Sequence, residues 1–478
     1  MLLAPGGSAA WPCWQIYGLR RATSALAAPL GYSSNFKACA ERLRIGSTRN
    51  PDEGLDLLAT EMTTADVPAV YWRLASAIGP EHWQGAVGRQ EEAIRLNHFL
   101  GDYLRSEYAI AYQLEKLRTL AARFGAVPYE ACNDRSIFPA LAFAAQVFGV
   151  LNLCTKKQAR AFVRRVRTAF SSAENMHGLR LELQAATHFT RRGRQVLWHR
   201  ANGGGSFDLL VEDLGTSGLE VECKSISDDK GRKIHRREAI DFWGGLWRDI
   251  SGVAKNLRSG LAVVLTVPYR LPADPADRKQ LAREVVTQII AGNAGMRLND
   301  GTEIRIKTFD HAPVGGAIAD GRHALRRAID EATGTDNREA VLYGTPAGGL
   351  LTFVLQSAVP DDVLNQVFAT LTESAANQFS MTRGAFFWVA LQGLDADQLM
   401  SVHVQDSDRG QQPTGLRRSV SDFLAAAPEH VVGVVFGSRS GLLPREDGTT
   451  DSDGATNFFL KEESLHWHPS FRGPLLGP

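Results

Sequence analysis

The sequence predicts a multidomain α/β chain with an α+β middle part. An all-helical segment over residues 34–172 is followed by an α-β-β-β-α-β core over 173–269 and by further mixed α/β structure over 270–478. Three observations carry this expectation. A chain of 478 residues exceeds what one ordinary hydrophobic core holds. From about Ser34 to Ser172 apolar residues recur at spacings of three and four. Beyond that point short apolar runs alternate with glycine-rich turns, and the period changes to two.

The first 33 residues read as a leader, since Arg20 and Arg21 follow the apolar part instead of preceding it as in a secretory signal. In the helical segment, Ala93, Leu96, Leu100 and Leu104 mark one face of the stretch that begins "GRQEEAIRLNHFLGDYL". "ALAFAAQVFGVLNL" is a second apolar helix. The composition of this segment does not reveal a task, and a second copy or a partner protein docking on it is one expectation.

The core is expected as a helix from Ala173 to Arg192, strands at "RQVLWHR", "SFDLLVED" and "GLEVECKSIS", a helix from Arg237 to Leu257 and a strand at "GLAVVLTVPY". Three strands joined by tight turns make a meander, and the second helix crosses over to a fourth strand. The remainder offers strands at "TEIRIKTFD", "AFFWVAL" and "VVGVVFG" and a helix at "VLNQVFATLTESAANQF". "REDGTTDSDGATN" reads as a turn-rich loop.

Composition narrows the function. The net charge is +1, so nucleic-acid binding has to come from local patches. The five cysteines (Cys13, Cys39, Cys132, Cys154 and Cys223) are odd in number and form no CxxC. That speaks against a disulfide framework or a structural zinc and for a reducing cytoplasm. No apolar run reaches the ~20 residues of a membrane span, and no Walker motif is present.

The candidate chemistry lies in the meander. In an extended "GLEVECKSIS", Leu219, Val221 and Cys223 share one face and Glu220, Glu222 and Lys224 the other. Asp208 stands fourteen positions before Glu222 on the preceding strand, so a hairpin brings the two acids together. Paired carboxylates offer hard oxygens to Mg²⁺ or Mn²⁺. Lys224 can polarise a water or neutralise an anionic transition state. On the preceding helix, Leu179, Leu183, Ala186 and Thr190 form an apolar stripe, and Glu182 falls inside it, where a carboxylate needs a partner or a metal. Glu220 is assigned to a solvated face of the sheet.

Helix-borne Glu182, Asp208 and the run Glu222-Cys223-Lys224 resemble the PD-(D/E)XK nuclease superfamily, the restriction-endonuclease-like fold. The resemblance covers Ala173 to Tyr269, and Phe207 stands where the pattern has proline. It implies a Mg²⁺-dependent endonuclease in which Asp208, Glu222 and the Cys223 carbonyl ligate the metal. Lys224 then helps to activate water, and Glu182 supports a second metal or a ligand water. It also implies a restriction or anti-phage role in a prokaryote. The alternative is a catalytically silent nucleic-acid-binding or scaffold protein of the same fold.

Charge distribution points to a phosphodiester backbone. Thr155 to Arg200 holds eleven Lys or Arg against two Glu, and a second basic run follows Lys224. The DNA-contacting candidates are Arg160, Arg164, Arg165, Arg167, Lys230, Arg232, Lys233, Arg236 and Arg237.

Overall fold

The computed structural model describes residues 66–476, apart from 129–130, 132–133, 199–206, 320–321, 337, 439–441, 445–449 and 453. The leader and the first part of the expected helical segment lie outside the described residues, as do 445–449 and 453 of the loop expected at 445–457; within the rest, 450–452 and 456–457 are strand. The chain begins as helices: α1 (Val67–Ile78), α2 (Glu81–Leu96), α3 (Gly101–Glu107), α4 (Ala109–Phe124), α5 (Phe138–Leu153), α6 (Lys156–Ala169) and α7 (Ala173–Arg191). The meander comes next as β1 (Val196–Trp198), β2 (Leu209–Val211) and β3 (Leu219–Ile226). It leads to α8 (Arg236–Ala254), β4 (Gly260–Val267), α9 (Pro275–Ala291), β5 (Gly295–Arg297), β6 (Glu303–Phe309), α10 (Ala312–Ala319), α11 (Arg322–Thr333), β7 (Glu339–Gly344) and β8 (Leu350–Ser357). The last part holds α12 (Val363–Asn377), β9 (Ala385–Leu391), α13 (Ala396–Ser407), α14 (Gly415–Ala426), β10 (Val431–Gly437), the ribbon β11 (Leu442–Pro444) and β12 (Thr450–Ser452), β13 (Thr456–Leu460) and α15 (Arg472–Leu476).

Two compact units result, with one mixed sheet in each. Gly231–Asp362, with Gln90–Ser106, builds a five-stranded sheet in the order β5-β6-β4-β8-β7. Its centre is β4, antiparallel to β6 and parallel to β8, and Trp243 of α8 stacks on Phe353 of β8 at 4.8 Å. The other unit, whose described residues lie within 66–89, 107–230 and 363–476, builds a six-stranded sheet in the order β1-β2-β3-β9-β10-β13.

This topology corrects the expected core. The helix and strand after the meander, α8 and β4, form as the sequence suggests, but β4 belongs to the five-stranded sheet. The fourth strand beside the meander is β9, parallel to β3 from Glu220↔Ala385 to Ile226↔Leu391. The physical reason is that a parallel neighbour needs only a crossover helix, not sequence proximity. That helix is α12, and Gly231–Asp362, the main part of the second unit, is inserted ahead of it. The helices do not have a core to themselves either: Leu74 of α1, Leu114 of α4, Phe143 of α5, Phe162 of α6 and Leu183 of α7 share one apolar cluster with Val221, Phe386 and Trp388 of the sheet. The opposite face is covered by α12 and α14 through Val367, Leu371, Val420 and Phe423. Strands β9 and β10 are therefore buried on both faces and read as unbroken apolar runs. Among the described residues no helix is long and apolar enough to cross a membrane.

Helix α7 is fixed at both ends. Ser172 caps its first turn, accepting from the Asn175 amide at 3.2 Å, and Gly193 at φ 71° lets the chain leave it. Near its end His188 Nε2 bonds the Pro474 carbonyl at 2.8 Å, and its ring lies against Trp388. Burial, then the charge of Arg192, pushes the His188 pKa down to about 4, against a smaller opposing pull from the Pro474 carbonyl. The folded value lies below the unfolded value of about 6.5. The unfolded chain therefore takes up the proton first, and the stability present above pH 6.5 is lost as the pH falls towards 4. The limiting slope for one proton is about 1.4 kcal/mol per pH unit. His188→Gln retains a donor for Pro474 and does not titrate. Urea unfolding between pH 7 and 5 should show a shallower loss of stability for this variant, and equal slopes would remove His188 as the titrating group.

Candidate functional site

The acids singled out in the sequence meet where β2 leaves β3. β2 pairs with β3 only from Leu209↔Val221 to Val211↔Leu219, so beyond Val221 no described strand pairs with the β2 side of β3. Asp208 stands at that fork, just before β2. Its amide donates to the Val221 carbonyl at 3.2 Å, and its Oδ2 accepts from the Cys223 amide at 2.9 Å. Glu222 and Lys224 project together from β3, as alternation requires, with Lys224 Nζ 2.9 Å from Glu222 Oε1. Glu182 reaches in from α7 and pairs with Arg165 of α6. The side chains of Glu182, Asp208 and Glu222 are 4%, 2% and 1% exposed, far from the usual place of a carboxylate.

Of these groups Arg165, Glu182, Glu222 and Lys224 line one cavity of about 300 Å³, together with Gly178, Cys223 and Ser225, and Asp208 is joined to it through the Cys223 amide. The field there is negative. Burial, followed by the charges of Asp208, Glu182 and Glu222, pushes the Cys223 thiol well above its ordinary pKa. Burial works against the charge of Arg165, but Glu182 overcomes it with help from Asp208 and Cys223, and the guanidinium pKa is raised. Three buried carboxylates stand against two cations, Arg165 and Lys224. The donor set suits a hard divalent cation in kind. Among the described residues, however, no three His, Cys, Asp or Glu side chains are grouped to hold a metal ion. Each acid is instead turned to a nearby donor: Glu182 to Arg165, Asp208 to the Cys223 amide and Glu222 to Lys224.

Glu220 requires a correction. Its expected solvated face does not exist, because helices cover that side of the sheet. Glu220 is 0% exposed. It accepts from the Ser380 amide at 2.8 Å and from the Ser380 hydroxyl, and it lies 3.1 Å from Arg383 Nε. These contacts fix the segment between α12 and β9. The same segment presents Gln378, whose Oε1 accepts from Lys224 Nζ at 2.5 Å.

The basic candidates divide. Arg160 and Arg164 are exposed on α6. Arg165 lies in the cavity wall, and Arg167 donates to the Ile78 carbonyl at 2.8 Å, closing the end of α1. Lys230 is the last residue of its segment, and the rest of the second run belongs to the inserted unit. There Arg232 meets Glu339 at 3.0 Å, Lys233 lies over Tyr269, Arg236 over Tyr103 and Arg237 beside Asp241. That run is thus engaged within its own unit.

Comparison with protein-family models, with curated proteins and with solved structures finds no match for the chain.

Two residues of the site carry no chemical signal in the sequence, Gln378 and Gly178. Gly178 lies inside α7 and lines the cavity, and a Cβ added there meets nothing within 4 Å. Glycine within a helix costs about 1 kcal/mol relative to alanine. Gly178→Ala should therefore raise stability by up to about that amount in chemical denaturation, and a destabilised variant would refute the open space assigned to this face.

Proposed function

We propose that the protein is a metal-dependent nuclease that hydrolyses phosphodiester bonds, with DNA as the preferred substrate. The observation that carries this reading is the fork between β2 and β3. Three buried carboxylates and a lysine gather there, and Glu182, Glu222 and Lys224 line one cavity, in a sheet that runs helix, β1, β2, β3, inserted unit, helix, β9. A spent site has no need to keep three carboxylates out of water, since each costs several kcal/mol of desolvation. With the inserted unit set aside, the order α7-β1-β2-β3-α12-β9 is the α-β-β-β-α-β order of the PD-(D/E)XK resemblance.

Asp208, Glu222 and the Cys223 carbonyl would hold Mg²⁺ or Mn²⁺, with Glu182 supporting from the helix. The cation would supply Lewis acidity to a phosphate oxygen. Lys224 donates hydrogen bonds into the cavity and offsets negative charge gathering on the phosphate. Gln378 and Glu222 fix its ammonium, so its position does not depend on a flexible side chain in solvent. Arg160 and Arg164 give the exposed side of α6 a charge suited to a nucleic-acid backbone. A cytoplasmic role against foreign DNA accords with this chemistry.

The test is cleavage of plasmid DNA, single-stranded DNA and RNA with Mg²⁺, Mn²⁺ or EDTA. Plasmid nicking should need the cation. Asp208→Asn, which keeps the shape at the Cys223 amide, and Lys224→Ala should each reduce the rate by about 10²-fold or more. Without metal the melting temperature of Asp208→Asn should stay close to wild type, whereas Lys224→Ala, which removes the ammonium beside buried Glu222, should melt lower. Retention of DNA without cleavage under any metal would instead favour a silent binding protein of the same architecture. Wild-type rates in both variants would end the assignment.

A further inference from the structure

Helix α6 carries a row of side chains that leads to the carboxylate cavity. Lys156, Arg160, Arg164 and Thr168 follow one another at intervals of four residues, and all four are exposed. Successive members stand about 6 Å apart along the helix axis, so the row is about 18 Å long. It winds by about 40° with each step, towards the side of α6 that carries Arg165 and Ala169. Its last member, Thr168, lines the cavity together with those two residues. Three cations thus stand in line on the approach, and the line ends at the mouth.

The facing wall is a stripe of α7. Glu174, Gly178 and Glu182 line the cavity, again at intervals of four residues. Glu174 is exposed, Gly178 half-buried and Glu182 buried, so the stripe runs from mouth to floor. Half-way down, Gly178 leaves the passage clear, since a Cβ there meets nothing within 4 Å. Glu222 on the floor is 1% exposed. A cavity of about 300 Å³ is at the small end for a ligand site and has room for about one nucleotide.

We propose that the substrate is a single-stranded nucleic acid, whose backbone follows the row on α6 and whose scissile phosphate enters past Gly178. The proposal rests on the nuclease reading of this cavity and names its substrate class. A duplex carries its phosphates on the outside of a stiff body two strands wide, and it cannot bring one of them to a floor this recessed. Base-modifying enzymes meet the same restriction by acting on unpaired or extruded nucleotides. A single strand is one nucleotide wide, and cations set in line track its phosphates. Plasmid DNA is cut, on this account, where its strands open.

The experiment measures binding and cleavage separately. The full chain in EDTA is titrated against a fluorescent oligothymidylate, an oligouridylate and an oligothymidylate–oligoadenylate duplex of equal length, by anisotropy at several salt concentrations. The better single strand should bind about tenfold or more tightly than the duplex, and the order of the two single strands identifies DNA or RNA. Lys156→Gln/Arg160→Gln/Arg164→Gln should lower the salt slope for single strands by about two units, at about 0.7 per lost contact. The control Arg409→Gln/Arg417→Gln/Arg418→Gln removes the same charge from other exposed positions and should leave the slope unchanged. Gly178→Leu narrows the passage and spares the row. It should keep strand binding and the wild-type fold, while cation-dependent cleavage of single strands falls about tenfold or more. Tighter binding of the duplex, or an unchanged slope in the row variant, would overturn the proposal whether or not the protein cuts. Undiminished cleavage by Gly178→Leu would overturn the route past Gly178. Strand preference and slope loss without cleavage under any cation would refute the nuclease reading and support the row as a strand-binding surface.

Discussion

The parallel pairing of β3 with β9 is the constraint on which the rest of the larger unit depends. It joins Glu220–Ile226 to Ala385–Leu391 although Gly231–Asp362, most of the other unit, is inserted between them in the chain. It places Cys223, which lines the carboxylate cavity, opposite Trp388, which lines a second cavity on the other flank of α7. It also frees the other side of β3. Because β9 supplies hydrogen bonds along the full length of β3, β2 can leave after three residues and the strand remains ordered. The fork that collects Asp208, Glu222 and Lys224 exists because the sheet is anchored on its far side.

A second consequence concerns Lys224. A lysine on a strand end usually trades its rotamer freedom against little gain. Here its ammonium is fixed between Glu222 and Gln378, and Gln378 belongs to a segment held by buried Glu220 through Ser380 and Arg383. The strand that carries the lysine therefore also fixes, through its preceding acid, the segment that orients it. Glu220 and Lys224 lie on one face of the same strand, so their spacing is set by the backbone.

The local structure was largely legible in the sequence. Period-two alternation located β3 and its faces, and Glu182 stood out because an acid within the stripe of Leu179, Leu183 and Ala186 has no reason to be there unless partnered. The long-range structure was not legible. "AFFWVAL" is apolar on both faces because it is covered on both, and a uniformly apolar strand does not announce its neighbour. The insertion has no local signature, since α8 and β4 form a sound helix and strand that simply pair elsewhere. Glu220 was misplaced for the same reason: exposure of a strand face is decided by helices far along the chain. Arg165 and Arg164 are adjacent in sequence and look alike, yet one lies in the cavity wall and the other in solvent.

The pairings inside the carboxylate cavity obey electrostatics. Three carboxylates in a poorly solvated space repel one another. Each therefore turns to the strongest donor in reach, and those donors are Arg165, the Cys223 amide and Lys224. Two of the three are charged and one is neutral, so the balance still leaves an excess of one negative charge if all three acids are ionised. The Cys223 thiol registers that excess, held protonated by its burial and by three carboxylates that Arg165 only partly offsets. Removing Arg165 would deepen the imbalance, and removing Glu182 would relieve it. This asymmetry distinguishes a site strained towards cations from an ion-pair network whose charges already cancel.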